Sequence, residues 1–446
     1  MGGNKVKMKN MPDVSIVVTV HNSETYLEEC LNSVCRQTYK NIEILCVDGG
    51  SKDNSPGILK KFADADSRIK IINDPNTSYG HKLNLGFELA KGKYVGILES
   101  DDRLCLDMVE NLYRIADQYR PDVVGGNVRR SFDYEKAWVG YEVQVYKNPS
   151  YYNRFIVKSM EPIQYAHGSI YASLYKKSFL ATKDIKVNET PGAAFQDQGF
   201  SFMTDILAET AYYIDKPVYE YRIDNTGSSV YDDRKIFEIV WEMRFIEQEL
   251  KRKEITDPNI WNEFWYTKYL HFIDRMKCFS KVGREQFKRA FESELRADMQ
   301  HGILGCGIFK EGQEAILQGF LADPFYFEKN FEQVDSMSVK KIGMVLGQIL
   351  DKPVVIFGAG QKGKYFCRIL KDLGRSFRDG RLEVTCFCDN APELEGKIIM
   401  GKPVLSVEQA VERFPEAIFA VANVQNSKDM VKQLKTYGIR EENICF

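Results

Sequence analysis

The sequence predicts an α/β protein: a mostly parallel sheet with flanking helices, then a helical middle region, then a second, smaller α/β unit. Three observations predict it. β-branched runs alternate with helical patterns through the first third, as in βαβ units. A fresh strand, glycine-rich turn and helix begin near Lys352. The composition is that of a globular chain, with 446 residues, 44% of them apolar and 28% charged. Lys and Arg number 61 against 63 Asp and Glu, a net charge of -2. That balance excludes disordered and fibrous classes and argues against a nucleic-acid binder that works by bulk positive charge. No apolar run reaches the roughly 18 residues of a membrane span.

Met1 to Asn10 lacks the apolar stretch of a secretory signal and reads as part of a loose tail over 1–12. Val14 to Val20 is the β-branched run of a strand buried on both faces. Asn22 or Ser23 is expected to cap the helix that carries Leu27, Cys30, Leu31, Val34 and Cys35. Ile42 to Val47 reads as the second strand. Ser55-Pro56 reads as a cap followed by proline at the first helical position. Ile69 to Ile72 is the third strand, and Lys82 to Ala90 a helix ended by Gly92. Tyr94 to Leu98 is the fourth strand, and Val123-Val124 marks a fifth.

From about Tyr134 to Tyr231 the pattern is irregular and aromatic-rich. A helical period returns from about Arg234 to Leu350, where the stripe Trp261, Trp265, Phe272 and Met276 reads as a core face. The basic residues Arg275, Lys277, Lys281, Arg284, Lys288 and Arg289, interleaved with Glu285 and Glu292, read as a solvated helix face with at most weak membrane contact. Val354 to Phe357, Val384 to Cys388 and Ile418 to Val421 are strands of a terminal block of about 95 residues, room for one mononucleotide-type half. The ten cysteines show no CxxC spacing and no grouping with His, so they read as buried free thiols in a reducing cytoplasm.

Ligands of an open parallel sheet bind beyond the carboxyl ends of its strands. His21-Asn22, Asp48 and Glu99-Ser100-Asp101-Asp102 all fall there. Carboxylates this close repel one another unless a cation sits among them, and hard oxygen ligands favour Mg²⁺ or Mn²⁺ shared with a phosphate. An acidic turn capping the helix from Leu106 explains the same residues. Asn76 to Lys82 offers backbone N–H groups and a lysine to a phosphate, or is an ordinary glycine-containing turn.

Four ordered segments resemble the family 2 glycosyltransferases of GT-A fold. They are Val14 to Asn22, Val47-Asp48-Gly49-Gly50-Ser51, Lys91 to Asp102, and Phe195-Gln196-Asp197-Gln198-Gly199-Phe200. The third is similar to the family's DxD-type motif and the fourth to its "ED" segment. The resemblance covers residues 13 to about 230. It implies inverting transfer of a sugar from a nucleotide-diphosphate sugar to an acceptor hydroxyl. Asp197 would be the general base. Val20, His21, Asn22, Asp48, Lys82, Ser100 and Asp101 would hold the donor, and Glu99, Asp101 and Asp102 the Mn²⁺ or Mg²⁺. Three departures stand out: Gly49 where many members have a second acid, Glu99 where Asp is usual, and Gln196 in place of the first acid of the "ED" pair. The QxxRW segment and membrane spans of processive members are missing from the sequence, so a soluble, cytoplasmic enzyme adding one or few sugars in surface-glycan synthesis is expected. The acceptor would be a glycan, a lipid-linked sugar or a protein, with no nucleic-acid partner, and a homo-oligomer stays open.

Aromatic Tyr165, Tyr171 and Tyr175 around His167-Gly168-Ser169 suit either an acceptor-side stacking surface or simple core. Tyr221-Arg222 and Ser228-Ser229 suit a late loop over the donor. Gly358-x-Gly360-x-x-Gly363, with Asp389 beyond it, marks a Rossmann-like unit that either packs and docks or holds a second nucleotide. The expected division is thus 1–12, 13–231, 232–350 and 351–446. Two other readings compete: an NAD(P)-dependent sugar oxidoreductase built on those glycines, and a non-catalytic nucleotide-sugar-binding module.

Overall fold

The structure is a computed structural model that describes residues 11–134, 137–146, 149–160, 169–225, 235–278, 281–323, 325–330, 347–376, 382–422 and 427–445. The chain divides into two compact units. One comprises 1–128, 144–221 and 225–336, the other 129–143, 222–224 and 337–446.

The first unit is built on strands β1 (Val14–Val20) and β2 (Ile42–Asp48), every residue of which is buried. Helix α1 (Leu27–Cys35) joins them, and α2 (Ser55–Ala65) leads into β3 (Ile69–Asn73). Helix α3 (Tyr79–Leu89) leads into β4 (Tyr94–Glu99). β1 lies between β2 and β4, and β2 pairs with β3, all parallel. The register sets Val20 opposite Asp48 and Thr19 opposite Glu99, so both acids reach one carboxyl-end rim. Alternate residues feed two cores. Val17, Leu45, Val47 and Ile97 meet Leu83 and Phe87. Ile16, Val18, Ile44, Cys46 and Leu98 meet Leu31, Val34 and Leu112. Such two-sided burial is why these strands read as continuous apolar runs.

The chain continues through β5 (Arg103–Leu104), α4 (Met108–Tyr119), β6 (Val123–Tyr134), β7 (Ala137–Val143), β8 (Phe155–Val157), β9 (Ser173–Lys176), α5 (Lys177–Thr182), α6 (Gln196–Leu207) and β10 (Thr210–Arg222). The strand order is β3-β2-β1-β4-β9-β6-β10-β5. β9 runs antiparallel to both β4 and β6, which extends the parallel part into a mixed sheet. Among its described residues, the stretch with irregular sequence pattern therefore holds strands β7 to β10 and helices α5 and α6. Its strands are short or half-exposed, and neither simple period develops.

Several local expectations shift. Neither Asn22 nor Ser23 caps α1 by its side chain. Asn22 takes φ 50°, and the Ser23 carbonyl accepts the Tyr26 and Leu27 N–H groups in an intervening turn. Ser55 is the first residue of α2 and not its cap, which is Asn54. Helix α3 starts three residues early, because the Ser78 hydroxyl accepts the His81 N–H. It ends at Leu89 on an extended Ala90, before Gly92.

Helices α7 (Glu238–Arg252), α8 (Pro258–Cys278), α9 (Lys281–Asp298), α10 (Glu311–Ala322) and α11 (Tyr326–Asn330) follow. Phe272 and Met276 are fully buried, and Trp261 and Trp265 pack partly buried against the same core, as the stripe predicts. The basic residues do not form one solvated face. They divide between α8 and α9, and Arg284 and Lys288 are buried. Among the described residues no helix is long and apolar enough to cross a membrane.

The second unit contains β11 (Val354–Phe357), α12 (Gln361–Ser376), β12 (Val384–Cys388), β13 (Ile398–Ile399), β14 (Lys402–Leu405), α13 (Val407–Arg413), β15 (Ile418–Val421), α14 (Ser427–Thr436) and β16 (Ile444–Cys445). The strand order is β13-β14-β12-β11-β15-β16, parallel except for β13. Cys386 and Cys388 face one core of this unit and Phe387 the other. Phe132, Val139 and Tyr141, from the paired strands β6 and β7, share the core of Val354, Ile356 and Leu370. Cys30, Cys35, Cys46, Cys105, Cys306, Cys367, Cys386, Cys388 and Cys445 are free thiols.

Candidate active site

The ends of β1 and β2 build one wall. Asp48 is buried, and its Oδ1 accepts the Ser51 N–H (3.1 Å) and hydroxyl (2.6 Å). The Val20 carbonyl accepts the Gly49 N–H at 2.8 Å. His21 Nδ1 lies 3.1 Å from the Gly49 carbonyl, which only accepts, so this nitrogen carries the proton. Asn22 donates its N–H to the Ser51 hydroxyl at 2.9 Å and accepts the Lys52 N–H at 2.8 Å. Lys82 reaches this wall from α3. It is buried, and its Nζ donates to the Thr77 carbonyl at 2.9 Å. Burial pulls its ammonium down to about 8, against the upward pull of Asp48 and Asp74. A Cβ added at Gly49 would lie 3.1 Å from that Nζ. Gly49 therefore leaves the lysine the space a second acid would fill.

The end of β4 supplies the acids. One carboxylate oxygen from each of Glu99, Asp101 and Asp102 lies within 4.8 Å of the others. Tyr79 donates its hydroxyl to Glu99 Oε1 at 2.9 Å. Tyr219, on β10, accepts the Glu99 N–H at 3.1 Å and donates to Asp102 Oδ2 at 2.8 Å. Asn225 donates to Asp101 Oδ2 at 2.7 Å, and the Ser100 and Ser23 hydroxyls meet at 2.6 Å. Burial pushes Glu99 up to about 8, with the charges of Asp101 and Asp197 adding to it. Three carboxylate oxygens converging this closely are hard donors that suit Mg²⁺ or Mn²⁺.

Asp197 stands in the first turn of α6 and faces the same cluster electrostatically. The helix starts abruptly, with Phe195 at φ 64°. Gln196 is buried and fastens the preceding loop. Its Nε2 donates to Thr190 Oγ1 (2.9 Å) and the Gly192 carbonyl (3.2 Å), and its Oε1 accepts the Ala194 N–H (2.6 Å). Asp197 Oδ2 accepts from Gln198 Nε2 at 3.0 Å, while burial pushes the carboxyl up to about 6. A carboxyl at that value is ionised at neutral pH and still a stronger base than an exposed aspartate.

Tyr79, Tyr219 and Asn225, whose side chains hold Glu99, Asp102 and Asp101, are residues that sequence reasoning missed. Tyr219 carried a weak signal, since it falls in an aromatic-rich strand and stacks on Tyr171 with ring centres 4.4 Å apart. Tyr171 also stacks on Tyr221, 5.6 Å away. Tyr175 is core, its hydroxyl donating to the Ile170 carbonyl. His81, expected in a turn, lies in the first turn of helix α3 and is held by Glu189 and Asp74, whose carboxylates raise its pKa. Tyr165, His167, Gly168, Ser228 and Ser229 lie outside the described residues.

Gly358, Gly360, Gly363 and Asp389 fall in the second unit, at the turn between β11 and α12 and after β12. Asp389 Oδ2 accepts the Ala359 N–H (2.7 Å) and Oδ1 the Ala391 N–H (2.9 Å). A Cβ added at Gly363 would come within 1.8 Å of the Gly358 carbonyl oxygen, so that glycine serves close packing of helix on turn. Arg222, also in this unit, pairs with Asp133 and Asp224 and covers the Trp138 ring.

Residues 15–182 match the model of Glycosyl transferase family 2. Glycosyltransferase GlyA of Streptococcus pneumoniae is 32% identical over 216 residues, 47% of this chain and 30% of GlyA. EpsH of Bacillus subtilis is 31% identical over 51% of this chain and 65% of its own length. The chain thus spans less than two thirds of either relative. Among solved structures, Staphylococcus aureus TarS 1-349 superposes with a TM-score of 0.51 at 18% identity, over 75% of this chain and 92% of that one. Its complex with UDP-GlcNAc superposes at 0.52. At that identity the likeness is one of fold.

Proposed function

We propose that this chain, whose residues 15–182 match the model of Glycosyl transferase family 2, moves a sugar from a nucleotide-diphosphate sugar to an acceptor hydroxyl with inversion. One observation carries the reading: the Glu99, Asp101 and Asp102 cluster and the buried Asp197 share one electrostatic site at the carboxyl end of β4. An inverting displacement needs a base on the acceptor side and charge neutralisation at the leaving diphosphate. Asp197 is the base in this reading, holding the acceptor proton as the new bond forms. Glu99, Asp101 and Asp102 would hold a divalent cation, which would supply charge neutralisation at the diphosphate. Val20, His21, Asn22, Asp48, Ser100 and Asp101 line the donor side, and the buried ammonium of Lys82 faces it. The UDP-GlcNAc complex of TarS supports a uridine-diphosphate donor as the first to try. Asp389 is engaged with two backbone amides, which favours packing over ribose binding at the glycine turn.

Thermal shift with UDP, GDP and dTDP sugars, with and without Mn²⁺, tests the donor assignment. A bound ligand raises the melting point by linkage, and Asp102→Ala should abolish the Mn²⁺-dependent part. Asp197→Asn should keep the shift and lose about 10²–10⁴-fold in turnover. Wild-type turnover in that variant would discard Asp197 as the base.

A further inference from the structure

We propose that Glu242, on α7 and beyond the family-matched segment, is a positioning residue that holds the first turn of α6 and thereby aims Asp197. The inference rests on the reading of Asp197 as base. Glu242 is 1% exposed. Its Oε1 accepts the Gly199 N–H at 3.0 Å, and its Oε2 accepts from Asn188 Nδ2 at 2.8 Å. The Gly199 amide is in the opening turn of α6, two residues past Asp197. A helix leaves its first N–H groups without internal partners, and a buried one needs an acceptor from elsewhere. Glu242 supplies it across 43 residues of sequence.

Gly199 shows how closely the carboxyl approaches. A Cβ there would lie 2.1 Å from Glu242 Oε1, so only glycine admits the contact. Glycine inside a helix otherwise destabilises it. Its presence here fits a turn shaped around an inserted carboxyl.

The second oxygen extends the brace to the other side of the site. Asn188 belongs to the loop that leads into α6. Gly80, in the first turn of α3, packs against the Asn188 carbonyl, where an added Cβ would come within 1.9 Å of the oxygen. The neighbouring Tyr79 donates its N–H to the Gly192 carbonyl at 2.8 Å and its hydroxyl to Glu99 at 2.9 Å. One buried carboxyl thus joins the turn of Asp197, the preceding loop and the helix start that holds Glu99. Burial pushes Glu242 up to about 8, and glutamine at this position keeps a side-chain oxygen that can accept the Gly199 N–H.

Hydrogen–deuterium exchange and steady-state kinetics on the full chain test this. Glu242→Ala should speed exchange of the residue 196–200 amides at least tenfold, and Glu242→Gln should stay within threefold of wild type. UDP release from UDP-GlcNAc with Mn²⁺ should show kcat at least tenfold lower in Glu242→Ala, with donor KM within threefold, and recovery in Glu242→Gln. Gly199→Ala, which displaces the carboxyl while keeping it in the chain, should match Glu242→Ala and serves if that variant does not fold. Wild-type exchange in both Glu242→Ala and Gly199→Ala would overturn the brace. So would wild-type kcat in Glu242→Ala while Asp197→Asn is inactive, and that result leaves the base in place. Full turnover in Asp197→Asn with fast exchange in Glu242→Ala would instead remove the base and keep the brace.

Discussion

Burial decides the chemistry of single residues here. Asp197 and Glu242 both carry carboxyls that desolvation raises, to about 6 and about 8. In the proposed role of base Asp197 acts as the carboxylate, so turnover at saturating Mn²⁺ should rise tenfold per pH unit below about 6 and level above it. That limb should vanish in Asp197→Asn, and a pH–rate profile reads it directly. For Glu242 the consequence is stability. Between its ordinary value of 4.5 and about 8, the folded state holds a proton that the unfolded state has released. Stability then falls as pH rises through that window. Glu242→Gln has no proton to lose, so its Tm should decline less from pH 5 to pH 8 than that of wild type. Equal slopes by calorimetry would show that Glu242 titrates normally. At this scale the sequence spoke through short motifs. Asp48, Asp101, Asp102 and Asp197 stand in spaced, chemically suggestive runs. Glu242, Tyr79 and Tyr219 do not, because what makes them matter is a partner 20 to 120 residues away.

Elements were legible where burial is two-sided. β1, β2 and β4 are continuous apolar runs, and their parallel register follows from the helices between them. Helix boundaries were less legible where a loop residue takes a role that local pattern does not announce. Asn22 crosses at positive φ to the next turn instead of capping, and Ser78 caps α3 although Lys82 looked like its start. Helices α8 and α9 carry a feature hidden inside an apolar stripe. Lys268 is 1% exposed and donates to Glu294 and Asp298, each at 2.6 Å. Burial would raise Glu294, but Lys268 and Arg244 outweigh it and hold the carboxyl below its ordinary range. Removing one partner of a buried pair leaves uncompensated charge, at a cost of about 3–5 kcal/mol. Lys268→Met should therefore lower unfolding free energy by about 3 kcal/mol despite its good fit to an apolar core. Urea melts at pH 7 measure this; a neutral effect would mean the pair contributes nothing net.

The two units are each chemically complete in core terms, and the chain reaches the second one early. Strand β6 begins within the site-bearing sheet, where Val123 to Gly125 pair with β9, yet residues 129–143 belong to the unit whose other main segment starts at 337. No local pattern marks this, since a βαβ reading sees neighbours in sequence and Phe132 finds Ile356 and Leu370 more than two hundred residues on. Within the second unit Phe132 and Val139 are wholly buried and Tyr141 is 8% exposed. A chain cut after Leu350 keeps the family-matched residues 15–182 but strips these three side chains of their core. Exposed contiguous apolar surface of that kind drives association. The truncated chain should accordingly bind a hydrophobic dye and elute as aggregate in size-exclusion chromatography. Replacing Phe132, Val139 and Tyr141 together by Ser in the truncated chain should restore a monodisperse species that still gains melting temperature from the sugar nucleotide that stabilises the full chain. If instead the unmodified 1–350 chain is monodisperse and dye-silent, the 129–143 strands have found cover without the C-terminal segment, and their assignment to the second unit is wrong.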